Sequence, residues 1–118
     1  MPDLLQAVAE LPQFIRDSEA ARLSNEERIA IIDAIAANPT QGDIIRGSGG
    51  LRKVRFPRHG KGKSGGCRVI TAHFGPNVPV YLVALLSKGE RSNFSAAEIA
   101  SFRKLTNDIG RFWERRST

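Results

Sequence analysis

Nine lysines and arginines fall between residues 44 and 89 of this 118-residue chain, and no aspartate or glutamate lies among them. Guanidinium and ammonium groups gathered without carboxylates create a field of one sign, and such a field attracts phosphates. The same absence excludes a two-carboxylate acid–base pair in this stretch. His59, Cys67 and His73 are its only soft metal ligands, too few and too scattered for a metal site, so none is expected. One reaction class suits Lys, Arg and His alone. RNA carries its own nucleophile, the 2′-hydroxyl. Its cleavage needs that hydroxyl deprotonated, the phosphorane charge stabilised and the leaving 5′-oxygen protonated. The same residues would also bind phosphate without chemistry.

The glycines around these bases do not form a nucleotide site. Gly62-Lys63-Ser64 resembles the end of a phosphate loop, but Pro57 occupies the position of its first glycine and a strand follows. Gly47-Ser48-Gly49 would need a glycine at position 52, where Arg52 stands. No cofactor is expected.

The flanking sequence has the opposite balance. Residues 1–43 hold eight acids and three bases, and residues 90–118 hold six bases and four acids, giving a net charge of +6 for the whole. Hydrophobic residues at 41% and charged residues at 25% describe an ordinary globular chain, and the length fits one domain, residues 1–118. No apolar run is long enough to cross a bilayer, the N-terminus has no signal-like pattern, and a single cysteine excludes an internal disulfide. A reducing cytoplasm is the expected compartment, with no membrane partner.

Residues 5–11 alternate weakly and predict a first strand. Pro12 opens a helix to about Arg22, and Ser24 with Glu27 forms a capping box for a second. That helix is expected to bury Ile29, Ile32 and Ala36, flanked by Ile31 and Ile35, and to stop at Asn38-Pro39. Residues 42–50 read as a glycine-rich loop, 51–56 as a strand closed by Pro57, and 58–66 as a basic hairpin loop. Residues 67–74 read as another strand. The continuously apolar run 80–86 reads as a central strand covered on both faces. Ser95 and Glu98 form a second capping box, opening a helix with Ile99, Phe102, Leu105, Ile109 and Phe112 at spacings of three or four and Trp113 beside them. The result is an α+β domain of order β-α-α-β-β-β-α, with about four mainly antiparallel strands. Alternation places Lys53 and Arg55 on one face of their strand and Arg52, Val54 and Phe56 on the other. Arg58, His59, Lys61 and Lys63 fall in or beside the basic loop.

Several runs together resemble the RelE/HigB superfamily of bacterial toxins, in particular its HigB-like branch. They are Leu11-Pro12-Gln13-Phe14-Ile15-Arg16, Ala37-Asn38-Pro39, Gly42-Asp43-Ile44-Ile45, the run Gly47 to Arg55, the run Gly60 to Ile70, and Lys88. The resemblance covers roughly residues 10–105. It implies a small toxin that enters the ribosomal A site and cleaves the bound mRNA. It also implies neutralisation by a cognate antitoxin, a helix-turn-helix protein, with the toxin monomeric alone or held in a hetero-oligomer. By position, Arg68 corresponds to the arginine at the scissile phosphate, Lys53 and Arg55 to the bases of the preceding strand, and Lys88 to the base after the last strand. These four are the catalytic candidates; Arg52, Arg58, His59, Lys61 and Lys63 are the RNA- or ribosome-contacting ones. The chain departs from close relatives at Thr71 and Ala72, where they carry tyrosines, and at Leu86, where an aromatic is usual. A non-catalytic RNA or ribosome binder, or an inhibitor of a protein target such as gyrase, is the alternative.

Overall fold

The computed structural model describes residues 5–58, 66–87 and 94–117. They form α1 (Pro12–Ala20), α2 (Asn25–Ala37) and α3 (Ala96–Ser117) around a five-stranded sheet. The strands are β1 (Val8–Glu10), β2 (Asp43–Ile44), β3 (Arg52–Phe56), β4 (Cys67–Ala72) and β5 (Val80–Ser87), in the order β1-β5-β4-β3-β2. The α+β class and the element order match the reading of the sequence, with one added strand. β2 is the addition, two residues long, inside the stretch read as loop. Gly42 admits it: its φ is +97°, and a Cβ there would stand 2.7 Å from the Lys53 carbonyl oxygen, so only glycine lets β2 approach β3 this closely.

β1 is shorter than expected and pairs in parallel with β5, so the sheet is mixed. Three residues alternate too briefly to reveal a partner. Gln6, outside β1, spends its amide on the carbonyls of Gly75 and Val78 and its backbone N–H on Ala36. Beyond β1 the edge of β5 is open, and α1 fills it: the Asp17 carboxylate accepts the Leu85 N–H at 2.9 Å. α1 stops two residues early because Arg22 turns left-handed (φ +56°), which lets the Leu23 N–H close onto the Ser18 carbonyl. The capping box of α2 is complete, with Ser24 and Glu27 each bonding the other's backbone N–H.

The sheet is packed on both faces. One face carries Val54, Cys67, Val69, Val80, Leu82 and Leu85 against Phe14 of α1 and Ile31 and Ile35 of α2. The other carries Ile70, Ala72, Val83 and Ala84, with Phe102 and Leu105 of α3 packed beside them. β5 is therefore covered on both sides, as its unbroken apolar run implies. The expected α2 stripe is corrected: Ile31 and Ile35 are buried with Ala36, Ile32 is half-buried and Ile29 is 56% exposed. Isoleucine and alanine surround that helix, so its sequence alone does not select the inward face.

The glycine-rich turn before β3 docks on α3. The Ser48 hydroxyl is fully buried, donating to the Ile45 carbonyl at 2.6 Å and accepting the Leu51 N–H at 3.0 Å. Thr106 of α3 donates to the Ser48 carbonyl, and Gly47 and Gly49 supply the left-handed backbone of the turn, with φ of +80° and +83°.

Candidate functional site

Strand register brings together part of the basic set. Arg55 of β3 stands directly opposite Arg68 of β4, and Arg68 stands opposite Leu86 of β5. One step along, Lys53 pairs with Ile70, and Ile70 with Ala84. Directly opposed residues in an antiparallel ladder project from the same face. Ile70 and Ala84 belong to the core on the α3 side, so Lys53, Arg55 and Arg68 lie on that face too. The two rows run side by side across three strands. Phe102 and Leu105 of α3 pack against the cluster that holds Ile70 and Ala84, whereas Arg55 is exposed and Lys53 and Arg68 are half-buried. Asp43 of β2 stands opposite Lys53, whereas β2 ends before it reaches Arg55.

Arg52 is not part of this group. It pairs with Thr71, which pairs with Leu82, on the face of α1 and α2. Arg58 is turned away as well. Its guanidinium lies 3.0 Å from the Glu27 carboxylate and 3.2 Å from the Arg22 carbonyl, and its side chain is only 8% exposed. The expectation that Arg58 meets RNA therefore gives way to an ion pair that ties the exit of β3 to the α1–α2 turn. The Arg58 hydrogen bond, and then the Ser24 N–H, hold the Glu27 carboxyl below its usual range. No local signal announces this pair, because its members are 31 positions apart.

Lys88, His59, Lys61 and Lys63 lie outside the described residues. The strand ends that flank them are in register: Phe56 pairs with Cys67, and Cys67 with Ser87. His73 follows β4 at the opposite end, half-buried. Cys67 is buried, and desolvation pushes its thiol pKa up, so it is a protonated core residue at neutral pH. Thr71 and Ala72 are buried in the sheet, and the Thr71 hydroxyl has no hydrogen-bond partner among the described residues. No aromatic hydroxyl stands at either position.

Two forked guanidinium groups on adjacent strands, with an ammonium one step away, can hold the non-bridging oxygens of one phosphodiester. Among the described residues, no group of three or more His, Cys, Asp or Glu side chains is placed to hold a metal, and no helix is long and apolar enough to cross a membrane. A family model described as the RelE toxin of the RelE / RelB toxin–antitoxin system matches residues 8–116. The match begins at the first residue of β1 and runs into the last turn of α3, taking in every candidate above.

Proposed function

The chain belongs to the RelE toxin family, and on that footing we propose that it cuts mRNA on the ribosome by attack of the RNA 2′-hydroxyl on the adjacent phosphate. The opposed pair Arg55–Arg68, with Lys53 on the same face, carries the reading. A phosphate bound beside two guanidinium groups is attracted to both. Guanidinium donors gathered on adjacent strands stabilise the negative charge that grows on the phosphorane oxygens.

In the reaction the 2′-oxygen bonds to phosphorus and the bond from phosphorus to the 5′-oxygen breaks. One proton leaves the 2′-hydroxyl and one reaches the departing oxygen. Lys53 and Lys88 are the groups assigned to these transfers, with Arg55 and Arg68 as charge stabilisers. Lys61, Lys63 and His59 are assigned to RNA or ribosome contact, and Arg52, on the other face, to ribosome contact alone. We place the chain in the HigB-like branch on its Gly47–Arg55 and Gly60–Ile70 runs. Its partners are then a cognate helix-turn-helix antitoxin, the ribosome and the A-site mRNA, in the cytoplasm, with residues 1–118 acting as one toxin domain.

The products should end in a 2′,3′-cyclic phosphate and a 5′-hydroxyl. Fragments bearing a 5′-phosphate would refute the mechanism. The absence of an aromatic hydroxyl at Thr71 and Ala72 favours one other reading, a toxin that binds RNA, the ribosome or a protein target without cutting. Growth arrest with intact mRNA would select it.

A further inference from the structure

β2 has only two residues, yet it sets a carboxylate beside the basic rows. Asp43 stands opposite Lys53, and directly opposed residues project from the same face. Ile45, two positions on, packs with the cluster of Ile70 and Ala84, so the same parity of this segment faces the α3 side. The sequences of β2 to β5 hold no other acid. Asp43 is exposed, and among the described residues its carboxylate takes no hydrogen bond or ion pair, from Lys53 included. Neither burial nor capping accounts for it. Its neighbour Ile44 is 61% exposed, so β2 adds little apolar packing. What the close approach at Gly42 brings to β3 is chiefly this charge.

We infer that Asp43 is a positioning residue that keeps RNA phosphates off Lys53 and confines the reacting phosphate to the Arg55–Arg68 row. The inference rests on the phosphate-binding reading of those arginines and deepens it. The two rows lie two residues apart along β3, about 6.8 Å. Lys53, Arg55 and Arg68 all attract phosphate, and an RNA strand carries one at every nucleotide. A strand seated one row off gives its phosphate to Lys53 and misses the guanidinium pair. Asp43 ends only the Lys53 row, because β2 stops before it reaches Arg55. The Lys53 row thus carries one base and one acid, and the Arg55 row two bases and no acid. An approaching anion meets a compensated charge at the first and an uncompensated pair at the second. Lys53, kept clear of phosphate, stays open to the 2′-hydroxyl or the departing oxygen.

The test measures binding of a single-stranded 2′-O-methyl RNA, which lacks the attacking hydroxyl, to the intact protein across a salt series. Asp43→Asn keeps the shape and removes the charge. It should bind about fivefold tighter than wild type, the size of one charge interaction near water. The slope of log affinity against log salt should steepen by about 0.7, one further phosphate contact on a single strand. Asp43→Glu should keep the wild-type slope. On programmed ribosomes Asp43→Asn should lower KM and kcat together, since RNA held on Lys53 is bound out of place. A residue that only supports β2 would loosen the fold without tightening the RNA. Unchanged affinity and slope in the folded Asp43→Asn variant overturn the inference. So does a fall in kcat with KM and binding unchanged, which would put Asp43 in proton transfer instead. Mapping of cleaved mRNA ends separates the two levels. Wild-type protein that shows the Asp43 effect on binding but cuts no mRNA would retain the positioning role and reject the nuclease. Cleavage and binding both indifferent to Asp43 would do the reverse.

Discussion

Arg68 and Arg55 take their importance from register rather than from sequence spacing, since thirteen positions separate them in the chain. Alternation within β3 already put Lys53 and Arg55 on one face. That Arg68 shares it required the pairing of β3 with β4. Replacing Arg68 with alanine should lower cleavage by roughly 10²–10³-fold, the usual consequence of losing one preorganised donor to a developing oxyanion. Single-turnover rates on programmed ribosomes, with melting curves as a fold control, check this. Arg58 shows where sequence reasoning ends. It lies among the bases of its segment, yet its partner Glu27 belongs to a distant helix. Both side chains are largely buried, at 8% and 13% exposure, so Glu27→Ala strands a charge and should cost on the order of 3 kcal/mol in stability. The Glu27 carboxyl is held below its ordinary value chiefly by Arg58. Its contribution is therefore complete above the ordinary carboxylate range and fades as pH falls through the lowered value. Thermal melts between pH 7 and pH 2 should show Glu27→Gln losing part of the wild-type acid dependence; identical profiles would separate the pair from acid stability.

At the scale of elements, the long strongly patterned segments were legible and the short ones were not. β5 reads as central from its unbroken apolar run, and α3 from the repeat of Phe102, Leu105 and Ile109. β1 and β2, with three and two residues, carry too little pattern to show a partner or even, for β2, a strand. α2 shows a different limit: its capping box locates the start, but apolar residues on nearly every side leave the rotation to the tertiary contacts of Ile31 and Ile35. The glycines mark a boundary of another kind. Gly42 joins a left-handed backbone to a 2.7 Å approach to the Lys53 carbonyl. Gly42→Ala should destabilise the protein by about 2 kcal/mol, since it strains φ and pushes β2 from β3. Chemical denaturation measures the loss. Amide exchange should locate it at Asp43, Ile44 and the facing residues of β3.

Over the whole molecule, charge is segregated along the chain: eight acids against three bases through residue 43, then nine bases and no acid through residue 89. The fold converts this into geometry, with α1 and α2 on one face of the sheet and Lys53, Arg55 and Arg68 on the other. An antitoxin that covers the basic face should associate faster at low salt, and its association rate should fall steeply as salt rises while dissociation changes less. Stopped-flow mixing across a salt series reads this; a flat association rate would move the contact to the acidic half. The central claim is that the paired arginines form a cutting site for translated mRNA, and primer extension on a translated message after induction tests it most directly. Wild-type protein should generate fresh 5′ ends within codons, dependent on translation, and Arg68→Ala should abolish them while the protein remains folded. Intact mRNA in growth-arrested cells, or unchanged ends with Arg68→Ala, would contradict the account.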